Sequence, residues 1–291
     1  MKLRIYSACG LLAVSIFVMP TLVLGQSKRS TSDKDINAIG HRHISQEPNF
    51  YSAKKEKELG EKLAQEVEKS SKFVTDLEIT GYVERVAQNV ERNSDKHMPI
   101  TLHLIHSEAV DAYTLPGGHQ YVTRGLLLRI ESEGELASML ARGIANTALR
   151  SNTQVATKGE LMQLSTIPLG SPTPVGSPNL AIPLVELKAS RDAVFDADYF
   201  GMQYLYKSGY DPKCFIEFVQ RIGITLKPVP EAFSFYPPLP KRLQALQKEI
   251  ADILPNRDGA VVSTPEFQQF KDRLQVIKSE DPAPKNPGKD H

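Results

Sequence analysis

The chain has 291 residues, 24% of them charged, with a formal net charge of +1 from 35 basic and 34 acidic side chains. That length can bury a sizeable core in one or two domains. The charges alternate in sign along helix faces without a basic patch, which excludes the electrostatic footprint of a nucleic-acid binder.

In chain order, Lys2 and Arg4 precede an apolar centre at Leu11 to Val18, which Pro20 breaks before Gly25 and Gln26. This pattern predicts a secretory signal peptide over 1–25, and so an exported chain, periplasmic or secreted. The alternative is an uncleaved leader acting as an anchor, because the apolar stretch is nearly long enough to span a bilayer. The membrane is then reached only through that leader. Cleavage removes Cys9 and leaves Cys214, so no internal disulfide is available and stability must come from apolar burial. Residues 26–48 are polar, lack apolar periodicity and read as a linker. His41 and His43 fall there with no nearby partner for a metal.

From Ser52 the pattern turns helical, with Leu59, Leu63 and Val67 at i, i+4 and i+8. A second helix covers about Leu77 to Arg92, carrying Ile79, Tyr82, Val83, Val86 and Val90 on one face. Ile100 to Ser107 alternates as a strand does. Ala112 to Gly125 reads as two short strands around Pro116-Gly117-Gly118, where proline presets φ and glycine permits positive φ. Helices then dominate, at about 126–130, 133–150, 154–166, 180–208, 212–223, 239–252 and 266–278. The proline-rich stretch 168–178 cannot be a helix interior and reads as a surface loop. Residues 279–291 read as a disordered tail. Leu136, Leu140, Ile144 and Ala148 form an apolar stripe of core type, and Cys214 reads as a small packed side chain. The expected fold class is α+β: one mostly helical domain over 49–278 with a small antiparallel sheet.

Five segments occur in a characteristic order: LPGGH at 115–119, ELASMLARGIANTALR at 135–150, SRDAVFDAD at 190–198, YKSGYDP at 206–212 and PPLPKRLQALQKEI at 237–250. Together they resemble the secreted zinc metallopeptidases related to HtpX and BepA, which are gluzincins. The resemblance implies a helix bearing His-Glu-x-x-His, whose two His reach one metal from one helical face. It also implies a Glu ligand on a second helix, with an Asp four residues on. Here the first His position is Arg142, the Glu position Gly143, the second His position Asn146 and the third-ligand position Val194. Asp198 is retained, and Tyr236 replaces a His expected before Pro237-Pro238.

Zinc needs lone-pair donors. A guanidinium has none, and one unit charge about 4 Å from another like charge costs roughly 4 kcal/mol at an effective dielectric near 20. Gly143 cannot take a proton, Val194 has no lone pair, and the Asn146 amide is a poor ligand on its own. Zinc is thus implied by the resemblance while its ligands are absent, and no catalytic residue, metal ligand or cofactor is assigned. No His/Asp/Glu cluster with ligand spacing stands in its place, and the alternative is a replacement site assembled from residues distant in sequence. His103 and His106 at i, i+3 on a strand point to opposite faces, His119 has no partner, and neither GxSxG nor a Cys–His arrangement occurs.

Two remnants carry expectations. Asp198 is expected to pair with Arg142, the guanidinium filling the metal void; the alternative is an Arg142 at the cleft mouth and Asp198 engaged elsewhere. The resemblance implies that the strand before LPGG lines the cleft. Ala112, Tyr113, Thr114, Leu115, Pro116, Gly117 and Gly118 are therefore the expected edge for β-augmentation by a peptide, against the alternative of an ordinary covered edge. The expected function is that of an exported, catalytically inactive homologue binding an extended peptide or unfolded protein segment, in envelope protein quality control as the resemblance implies. The alternatives are an active zinc metalloendopeptidase using non-standard residues, and a structural subunit of an active paralogue.

Overall fold

The computed structural model describes residues 30–44, 48–165, 181–225 and 236–280. The expected leader at 1–25, the loop at 168–178 and residues 281–291 of the tail expected at 279–291 lie outside them, while 279 and 280 close the last helix. The first element is a short helix, α1 (Thr31–Lys34), followed by a 3-10 turn at Ile36–Ala38. Two long helices come next, α2 (Ala53–Ser70) and α3 (Leu77–Arg92). Ser52 caps α2 and Asp76 caps α3, each side chain accepting first-turn N–H groups. The buried face of α3 is Ile79, Tyr82, Val83, Val86, Ala87 and Val90, the apolar period of the sequence.

Three strands follow, β1 (Thr101–Ile105), β2 (Ala112–Thr114) and β3 (His119–Thr123), in the order β1-β3-β2. β2 and β3 pair antiparallel, as expected, but β1 and β3 pair parallel, so the sheet is mixed rather than antiparallel. The chain reverses between successive strands; because β3 sits between the other two, it runs alongside β1 in the same direction. The β2–β3 turn depends on Gly118, at φ 90°, where a side chain would overlap the Pro99 carbonyl.

The remaining helices are α4 (Arg124–Arg129), α5 (Glu133–Leu149), α6 (Ser151–Ser165), α7 (Ala181–Lys207), α8 (Lys213–Thr225), α9 (Leu239–Asp252) and α10 (Pro265–Glu280). The α+β, mostly helical class therefore holds. α5 is the central rod, buried on nearly every face. Ser132 caps its start, where Glu133 accepts from the hydroxyls of Tyr82 (2.7 Å) and Tyr210 (2.8 Å). Its end is set by Arg150 in the left-handed region at φ 57°, whose Nε reaches Glu56 of α2 at 2.6 Å. α7 crosses α5 closely at Gly201, where an added Cβ would lie 3.1 Å from the Arg142 backbone. Cys214 is buried, as its setting in the sequence suggests. No helix among the described residues is long and apolar enough to cross a membrane.

Within the stretch expected to be a polar linker, residues 30–44 pack onto this body. Ile39 and Ile44 are buried, and Arg42 is only 2% exposed. Its Nε and Nη2 donate to Asp95 at 2.9 and 2.5 Å, and its Nη1 to Gln203 at 2.7 Å. The Tyr204 hydroxyl donates to the same Asp95 oxygen at 3.0 Å. An arginine satisfied this fully can be buried, yet in sequence it reads as one more polar residue.

Candidate functional site

β2, α5, α7 and the start of α9 enclose a cleft of about 780 Å³. Its lining includes Ala112, Tyr113 and Thr114 of the strand, Arg142, Gly143 and Asn146 of α5, Val194 of α7, and Tyr236 and Arg242. The structure thus gathers the four substituted positions, Tyr236 and the first three residues of the expected edge around one hollow, with Asp198 behind its wall.

The i, i+4 relation of Val194 and Asp198 sets both on the α5 side of α7. Asp198, its side chain 4% exposed, accepts from Arg142 Nε at 3.1 Å, so the expected pair is present. A second guanidinium was not foreseen. Arg242 donates Nε to Oδ2 at 2.8 Å and Nη2 to Oδ1 at 2.9 Å, a two-pronged fork. Burial opposes the charge on Arg242, but Asp198 outweighs it and holds the guanidinium above its ordinary pKa. A sequence signal for Arg242 existed. It stands three residues after Leu239 and four before Leu246, on the buried face of an amphipathic helix. The Tyr236 ring faces the Arg142 guanidinium, 5.9 Å from Cζ to centroid, in cation–π range.

At Gly143 the missing side chain has been replaced by a neighbour. A Cβ built there would overlap the carboxamide of Gln120, a β3 residue 2% exposed whose Oε1 has no hydrogen-bond partner. Val194, 9% exposed, presents hydrocarbon. These residues do not fit a zinc ion: the set combines a cation already committed to Asp198, a filled void, a lone amide and an isopropyl group. Among the described residues, no group of three His, Cys, Asp or Glu side chains is placed to hold a metal.

The expected binding edge is divided. Leu115 donates to the His119 carbonyl at 2.8 Å and Thr123 to that of Asp111 at 3.1 Å, so residues 111, 113 and 115 turn their backbone groups toward β3. Ala112 and Thr114 therefore turn theirs outward. The Thr114 carbonyl accepts from Asn152 Nδ2 at 2.7 Å, a contact with no sequence signal. Leu115, Pro116, Gly117 and Gly118 leave the cleft; Pro116 and Gly117 pack under α2, Pro116 facing Gly60. The edge available to a ligand is Ala112 to Thr114, not the whole stretch to Gly118.

Away from the cleft, the parallel register Thr101↔His119 and His103↔Tyr121 brings together histidines that had looked isolated. The His103 ring stacks on Tyr121 at 4.6 Å and lies 5.8 Å from His119. Burial holds the His103 pKa below its ordinary value, and His119 adds to the effect.

An edge strand over a cleft floored by two crossing helices is the arrangement that the resemblance to the metallopeptidases implies. The profile of peptidase family M48 matches residues 75–250, more than half of the chain, and the chain belongs to that family. It is 23% identical over 186 residues to the beta-barrel assembly-enhancing protease of Yersinia pestis, covering 59% of this chain and 38% of that protein. It is 26% identical over 123 residues to the mitochondrial metalloendopeptidase OMA1 of Arabidopsis thaliana, covering 41% of this chain and 25% of that protein. The aligned stretch thus spans well under half the length of these curated relatives.

Proposed function

We propose that this M48 member holds an extended polypeptide segment in its cleft without hydrolysing it, as an exported protein of envelope quality control. The observation that carries this is the Arg142 guanidinium seated on Asp198, where the resemblance calls for a metal ligand. A guanidinium has no lone pair to give and adds positive charge where a divalent ion would sit. Holding a segment needs only the outward backbone groups of Ala112, the outward N–H of Thr114 and the adjoining cleft. The leader pattern at 1–25 supports export. The likeness to a beta-barrel assembly-enhancing protease supports a role in the envelope.

The test is metal analysis of the purified protein beside a peptide-turnover assay with and without chelator. The expected result is little zinc and no chelator-sensitive turnover; about one zinc per chain with chelator-sensitive turnover overturns the proposal. Converting Arg142→His, Gly143→Glu, Asn146→His and Val194→Glu checks the register. Because Gln120 fills the space beside Gly143, Gln120→Ala accompanies them. The converted protein is expected to take up zinc.

A further inference from the structure

Among the described residues, the floor of the cleft holds more positive than negative charge. Asp198 offers one carboxylate to two guanidiniums, Arg142 and Arg242. Arg242 turns both Nε and Nη2 to it, whereas Arg142 gives only Nε. The Arg142 side chain is only 18% exposed and lines the cleft, yet its Nη groups have no hydrogen-bond partner among the described residues. Asn146, one turn further along the same face of α5, also lines the cleft with its amide unengaged by any described residue. The one other charged side chain of the lining, among the described residues, is the exposed Asp111, which precedes β2.

Largely buried donors of net positive charge match a planar, two-oxygen anion, and a carboxylate has that shape. Polypeptides carry this group in two places, at the C-terminus and on Asp or Glu side chains. We infer that Arg142 and Asn146 form a subsite for a carboxylate of the polypeptide held along β2. This rests on the peptide-holding function proposed above and specifies which segments the cleft selects.

Fluorescence anisotropy on the full chain tests it with three labelled versions of one short, β-branched peptide. One ends in a free carboxylate, one is C-terminally amidated, and one is amidated with an internal Glu. At least one acidic version is expected to bind about ten- to a hundredfold more tightly than the neutral amide, the span of one charge-assisted hydrogen bond or two. Which acidic version gains assigns the subsite to the terminus or to a side chain. The preference is expected to vanish in Arg142→Met, to survive in part in Arg142→Lys, and to shrink in salt. Equal affinity for all three peptides overturns the carboxylate subsite and leaves peptide holding intact. No binding of any peptide, by the native chain or by Asn152→Ala with its freed Thr114 carbonyl, overturns both.

Discussion

Removing the two guanidiniums of Asp198 one at a time separates their roles. In Arg142→Met the carboxylate keeps the Arg242 fork at 2.8 and 2.9 Å and loses one bond of 3.1 Å. A charge-assisted bond of this kind contributes about 1.5–3 kcal/mol. Relief of the repulsion between two neighbouring cations offsets part of it. The net cost should be about 1 kcal/mol. In Arg242→Met the Asp198 side chain, 4% exposed, is left with a single N–H. Stripping the main partner from a buried carboxylate costs about 3–5 kcal/mol; the surviving Arg142 bond puts the loss near the lower figure. Asp198→Asn removes the anion that two confined cations share and should cost at least as much as Arg242→Met. Urea unfolding followed by circular dichroism measures all three, provided the slope with denaturant is unchanged. Equal losses for Arg142→Met and Arg242→Met, or losses below about 0.5 kcal/mol for both, would refute the buried fork and leave pairs of the surface kind.

Two further outcomes follow from the same physics. Arg42→Met leaves Asp95 without its cation and should cost about 3–5 kcal/mol, with faster protease cleavage near residues 30–44; a loss under about 1 kcal/mol means that this segment is not part of the folded body. Burial holds the His103 pKa below its ordinary value near 6.5. The unfolded chain therefore binds more protons than the folded one just below that value, and this group's contribution to stability falls as pH falls. His103→Phe should flatten the loss between about pH 7 and 5, by up to roughly 1.4 kcal/mol per pH unit, and identical pH slopes for the two proteins rule the effect out.

Much of the fold was legible because helices write their packing into residue spacing. The face of α3 and the bounds of α9, Leu239–Asp252, match the periodicity directly. The sheet was only half legible. A Pro-Gly-Gly turn specifies the β2–β3 hairpin, but nothing local tells β1 to join the far side of β3. The stretch 30–44 misled for a related reason. Composition records that Arg42 is polar, not that Asp95 and Gln203, 53 and 161 residues away, satisfy it.

Sequence alone determined what stands at the four central positions: a cation, an absent side chain, a neutral amide and a hydrocarbon, whose capacity to ligate is intrinsic chemistry and needs no fold. Only the tertiary structure decided what those residues meet. Arg242 joins Asp198 across 44 residues of chain, Gln120 fills the space beside Gly143, and Asn152 occupies the Thr114 carbonyl across 38. Periodicity encodes which face of an element is apolar, whereas the partner of a buried polar group is set by distance in space, and spacing along the chain carries almost none of that information.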